Sequence, residues 1–188
     1  MTSRPSDPSP LVDAQWTKLG LVLRPGGEGG WMHSHAQVPT PLVLPDAGVI
    51  RVYFASRPQK NLTLPTFCHL DLDDLTRVIR VNEQPLLDPG PPGTFDEHGI
   101  MPSCALEADG AVLLYYSGWS RSASVPYTNA TGLAVSEDGG LTFRKVSEGP
   151  ILSRNLHDPY SATSPVVLKE GEGWHMWYCS GTGWVREY

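Results

Sequence analysis

The sequence predicts an all-β fold, a β-propeller of four-stranded antiparallel blades, about three of which fit in its 188 residues. Three observations carry that prediction. Prolines that each open a short apolar run stand at Pro39, Pro102 and Pro165, two equal steps of 63 residues. Paired aromatics recur at two steps of 62 residues as Tyr53-Phe54, Tyr115-Tyr116 and Trp177-Tyr178. Each pair is followed by a break of small residues, Ala55-Ser56, Ser117-Gly118 and Cys179-Ser180-Gly181. Finally, no window has helical periodicity, and a repeat of this length with several short apolar runs is that of a propeller blade rather than a solenoid coil.

In chain order, residues 1–15 are polar and rich in proline and predict a disordered tail. Residues 16–25 resemble the stretch 143–152 that closes the second unit, so they predict an outer strand belonging to a closing blade, an arrangement that removes sheet edges. Residues 16–188 then form one partial propeller domain with units at about 31–90, 94–155 and 158–188. The second unit is the most legible. It predicts strands at 103–107 and 111–117 about the turn Ala108-Asp109-Gly110, a loop at 118–129, and strands at 131–137 and 141–146 about Asp138-Gly139-Gly140. The run from Ser136 to Phe143 (SEDGGLTF) has the S-x-D-x-G-x-T-aromatic pattern of an Asp box. In such a turn Ser and Asp side chains satisfy backbone donors, glycines take positive φ and the ring packs below.

Composition excludes several partners. The formal charge is −6, and no cluster of Lys or Arg offers a footprint for nucleic acid. No apolar run reaches the roughly 18 residues of a membrane helix, and the opening residues lack the apolar core of a signal peptide, so a cytoplasmic location with no membrane association is expected. Cys68, Cys104 and Cys179 show no CxxC spacing and suggest neither a disulfide framework nor zinc. The sequons at Asn61 and Asn129 carry almost no weight without a secretion signal.

The motifs Trp31-Met32-His33-Ser34-His35-Ala36, Arg51-Val52-Tyr53-Phe54-Ala55-Ser56-Arg57, Gly99-Ile100-Met101-Pro102-Ser103 and Asp158-Pro159-Tyr160 resemble an uncharacterised bacterial branch of the arabinanase, levansucrase and invertase group. That group includes glycoside hydrolase families 43, 32 and 68. The resemblance implies a five-bladed ring of which this chain is an N-terminal portion, the remaining blades coming from a longer chain or a second copy. It also implies a carbohydrate ligand, no cofactor, and an active site on the propeller axis where the first strand of each blade begins.

The positions just ahead of each repeat's proline are therefore the ones to inspect. The second unit offers Asp96, Glu97 and His98, the third Asp158 and Tyr160, and the first His33 and His35. Glycoside cleavage needs one carboxyl group as proton donor and a second as nucleophile or base, so Asp96, Glu97 and Asp158 are the candidate catalytic residues. His33, His35, His98, Trp119, Tyr160 and Arg57 are the candidate substrate-binding residues. Each has a plainer reading: the aspartates as turn formers, the histidines as satisfied inner-strand residues, and the tryptophans as core. Where family 43 carries an axial Asp in its first blade, this sequence has histidine. That departure favours an alternative, a sugar-binding or scaffold propeller without catalysis. No metal site is expected.

Overall fold

A computed structural model describes residues 15–26, 31–58 and 62–185; the tail expected at 1–15 lies outside them but for Gln15. Ten strands follow one another with no α-helix among the described residues. The first sheet is antiparallel in the order β1 (Ser34–Leu44), β2 (Val49–Arg57), β3 (Leu64–Asp71) and β4 (Val78–Val81). Its second strand is rich in β-branched and aromatic residues and is buried along most of its length, as a central strand must be. Proline and glycine set the β1–β2 connection. Pro45 opens a single 3-10 turn, and Gly48, at φ 63°, closes it by donating its N–H to the Pro45 carbonyl at 2.9 Å.

The second unit repeats the plan with β5 (Gly99–Ala108), β6 (Ala111–Arg121), β7 (Tyr127–Ser136) and the short β8 (Arg144–Lys145). The β5–β6 hairpin turns on Asp109 and Gly110, both at positive φ, which suits the twist of the flanking strands. The third unit contributes β9 (Ala162–Glu170) and β10 (Gly173–Ser180). Neighbouring units join in a repeated way. A parallel bridge links Thr63, beside β3, to Gly99 at the start of β5, and another links Ala130 of β7 to Ala162 at the start of β9.

The three prolines occupy equivalent places. In each first strand the pairing slips at the proline, opposite the second aromatic of the pair. Val38 and Pro39 face Phe54, Ser103 is the extra residue beside the Pro102–Tyr116 pair, and Ser164 and Pro165 face Tyr178. A proline donates no ladder hydrogen bond and is tolerated where a bulge breaks the ladder. The bend re-aims the start of each inner strand.

Two buried clusters hold the units together. Leu42, Tyr53 and Phe67 of the first sheet meet Val112 and Leu114 of the second, while Leu87, Ile100, Tyr116 and Ala134 form a second cluster. Phe143, the aromatic of the Asp box, packs against both and meets the Tyr53 ring edge-on at 5.6 Å. The box itself is closed as its pattern predicts. The Gly140 N–H donates to Ser136 Oγ at 2.7 Å, the Leu141 and Thr142 N–H groups donate to Asp138 Oδ1 at 3.0 Å, and Gly139 and Gly140 have φ of 71° and 85°. Arg51 and Tyr53 of the first sheet donate to the Gly139 and Gly140 carbonyls, so this turn of the second unit is docked on the first.

Two expectations are corrected. Strands β6 and β7 run on through most of the stretch expected as a loop at 118–129, leaving only residues 122–126 between them. The outer strand of that unit shrinks to Arg144–Lys145 because the Asp box draws residues 141–143 into its turn. Residues 16–25, expected as the outer strand of a closing blade, pair with no described strand, and Trp16 is 90% exposed.

Candidate functional site

The first strand of each unit starts where its neighbours also start, and the chain there forms two adjoining clefts. One, of about 400 Å³, lies between the first and second units and is lined by Gln37, Arg57, Met101, Trp119, Tyr127 and Asn129. Arg57 and Trp119 hold matching positions at the ends of β2 and β6, where they pair with the first residues of β1 and β5. The second cleft, about 240 Å³, lies between the second and third units and includes Tyr127, Asn129, Tyr160, Ser161 and Trp184 in its lining.

Behind Trp119 stands a short polar chain. The His98 ring lies against the indole at 5.5 Å, and Glu97 Oε1 is 3.2 Å from His98 Nδ1. Glu97 Oε2 in turn accepts the Gly93 N–H at 2.7 Å, which fixes the side chain to its own loop. His33 and His35 are exposed at the start of β1. The His33 N–H donates to the Arg57 carbonyl at 3.1 Å, and His35 Nδ1 lies 2.8 Å from Ser34 Oγ.

Asp96 is placed differently from its expected role. It is 1% exposed and does not line either cleft. Its Oδ2 forms an ion pair with Lys145 Nζ at 2.7 Å and accepts the Tyr116 hydroxyl at 3.1 Å, while Thr94 Oγ1 donates to Oδ1 at 3.2 Å. Burial, followed by the Asp96 charge, pushes the Tyr116 phenol far above its ordinary range. A carboxylate sealed this way is compensated, and removing it from its partners is costly.

Asp158 repeats the arrangement one unit later. Its Oδ2 accepts the Tyr178 hydroxyl at 2.9 Å and the Asn155 amide at 2.8 Å. The Ser180 hydroxyl, then these two donors, hold its carboxyl below the usual carboxylate range. The first unit has Phe54 where the others have tyrosine, and residues 31–33 just ahead of its inner strand include no carboxylate. Aspartate and phenol are present together or absent together, as expected if each aspartate ties the loop before its blade to the blade's second strand.

Among the described residues no three His, Cys, Asp or Glu side chains converge as a metal site, and no helix is long and apolar enough to cross a membrane. No family model matches the sequence. Solved structures do resemble it. A glycosyl hydrolase from Bacteroides ovatus superposes with a TM-score of 0.64 at 14% identity, over 84% of this chain and 50% of that one. A thermostable family-43 glycoside hydrolase gives 0.54 at 17% identity, over 75% and 47%. The fold is that of the propeller glycoside hydrolases. Zg3597, a family 117 glycoside hydrolase from Zobellia galactanivorans, matches this same glycoside hydrolase fold with a TM-score of 0.53 at 18% identity, over 84% of this chain and 46% of that one. By sequence, the uncharacterized proteins MT1551 and Rv1502 of Mycobacterium tuberculosis, strains CDC 1551 and H37Rv, are each 34% identical over 169 residues. That alignment takes in 90% of this chain, which thus spans 56% of the length of the curated relatives it matches.

On this glycoside hydrolase fold, several residues at the clefts escape sequence reasoning. Asn129 and Tyr127 fall in the stretch expected as a loop, whereas both lie on β7 and, being two apart, face the same side. The alternation Tyr127, Asn129, Thr131 is the signal that could have found them. Lys145, the partner of Asp96, has no local sequence signal, since the contact joins residues 49 apart across the unit.

Proposed function

We propose that this chain is part of a carbohydrate-active protein, glycosidase-like in architecture, and that the cleft between the first and second units receives the sugar. The observation that carries this reading is the matched placement of Arg57 and Trp119 on equivalent strand ends facing one cleft. An indole gives a flat apolar surface for the C–H face of a sugar ring, and Arg57, Gln37 and Asn129 supply polar groups for its hydroxyls. The solved glycoside hydrolases of like fold support the same ligand class.

For bond cleavage, Glu97 is the carboxylate best placed to act, because its side chain, at 22% exposure, is the least buried of the three candidates and its partner His98 packs on Trp119 of the cleft wall. The chemistry requires a second carboxyl group. Asp158 is held ionised by its donors but is 6% exposed and lines neither cleft, so it acts as a positioning residue, and the second carboxyl group of this reading comes from the remaining blades. Asp96 acts in this reading as a positioning residue, bracing the loop that carries Glu97 and His98. A second reading, binding without cleavage, is favoured by one feature: none of the described residues lining the first cleft is Asp or Glu.

Glycan binding and release of reducing sugar, measured together on the full chain, test both readings. Trp119→Ala is expected to weaken binding about tenfold, and Glu97→Gln to abolish release while binding persists. Binding with no release by the unmutated chain selects the second reading, and failure to bind any glycan ends both.

A further inference from the structure

We propose that His69 makes the joint between the first two units acid-sensitive: neutral, it holds the Arg51 guanidinium against the Asp box, and protonated, it releases it. The inference is independent of what the clefts bind. Arg51 of β2, His69 of β3 and Arg80 of β4 are direct cross-strand partners, so they stand in one row on the face that carries Tyr53 and Phe67. The Phe67 ring is their common floor. The His69 ring stacks on it at 5.1 Å, and the guanidinium groups of Arg51 and Arg80 lie 4.9 and 5.8 Å from its centroid.

Arg51 Nε donates to His69 Nε2 at 2.9 Å, while its Nη1 donates to the Gly139 carbonyl of the Asp box. An imidazole nitrogen accepts only with a free lone pair, so the ring is neutral and carries its proton on Nδ1. A proton added at Nε2 removes that acceptor and sets a cation between two arginines. Either Arg51 or His69 must then draw away, and in both cases the guanidinium, at 5% exposure, loses a partner that water cannot replace in position. Tyr53 still donates to the Gly140 carbonyl at 3.0 Å, so the joint loosens locally while the units stay folded.

The surrounding charges set the sign. Burial, then Arg51 from β2 and Arg80 from β4, hold His69 below its ordinary value of 6.5. From β5 and the box, Glu107 and Asp138 act on Tyr53 beside it, and Asp71, farther along β3, is paired with Arg77. A base held low in the folded state leaves stability intact above 6.5 and lowers it as pH falls from there through the folded value.

The test is hydrogen exchange of residues 136–143 in the full chain, read by mass spectrometry at about pH 7.5 and about pH 5 and corrected for the intrinsic pH dependence of exchange. Asp138 stays ionised over this range, so the box keeps its own closing contacts. Protection is expected to fall about tenfold at the lower pH. In His69→Gln, whose amide oxygen can accept from Arg51 and does not titrate, the two values should agree within about twofold. His175→Gln, at an exposed histidine of the third unit, should keep the full fall. Equal protection at both pH values in the unmutated chain overturns the inference, and so does a fall that persists in His69→Gln. If His69→Gln does not fold, NMR titration of the His69 ring in the unmutated chain decides: a midpoint below 6.5 upholds the inference, and one at or above it overturns it.

Discussion

Lys145 and Asp96 form the most consequential pair at the scale of single residues. Asp96 is withdrawn from water, its Oδ2 held by the Tyr116 hydroxyl, and Lys145, whose side chain is 20% exposed, reaches it from the outer strand. Lys145→Met removes the charge and keeps the aliphatic bulk, leaving a buried carboxylate uncompensated. A loss of about 3–5 kcal/mol follows from that mechanism, and urea denaturation should show it as a lower midpoint. Tyr116→Phe removes one donor while the lysine remains, and its loss should be about 1–2 kcal/mol. The order of these two effects is the check. If Tyr116→Phe were the more damaging, the phenol rather than the ion pair would be what holds Asp96 in place.

Among elements, the Asp box was the most legible in the sequence, because every contact that closes it lies within eight residues. The strand ends beside it were not. Gly118 looks like a break, yet β6 continues through it because a Cβ there would collide with Phe95 and Asp96, packing that no local pattern encodes. The box also sets a pH dependence. Ser136 and then Thr142 donate to Asp138 and hold its carboxyl well below its ordinary value of 3.8. A depressed carboxylate stabilises the fold above its ordinary value, and that contribution is lost as pH falls through the lower folded value. The difference in urea midpoint between the unmutated chain and Asp138→Ala should therefore hold steady from neutral pH down to about 4. Below 3.8 it should shrink. A difference that stayed constant into strong acid would show that the turn does not depend on the ionised side chain.

For the molecule as a whole, the equivalence of the units was legible in the prolines and aromatics, which recur at fixed steps and land on matching bulges. Which carboxylates face a ligand was not, since that depends on contacts between units. The third unit presents Val166, Leu168 and Trp177 on one face of β9 and β10, with Val166 55% and Trp177 58% exposed. Contiguous apolar surface of this kind drives association. The chain is expected to elute from size-exclusion columns at a volume that shifts with concentration, and the pair Val166→Glu and Trp177→Glu should suppress the shift. Elution at the monomer position at every concentration would count against it.

The docking of the Asp box on the first sheet also bears on how the polypeptide matures at the ribosome. The first four strands have all been synthesised by Val81, but Phe143, which seals their hydrophobic interior, follows 62 residues later. At translation speeds of about 5–20 residues per second, the nascent sheet waits roughly 3–12 seconds for its lid. During that interval Tyr53 and Phe67 are the groups most in need of chaperone cover.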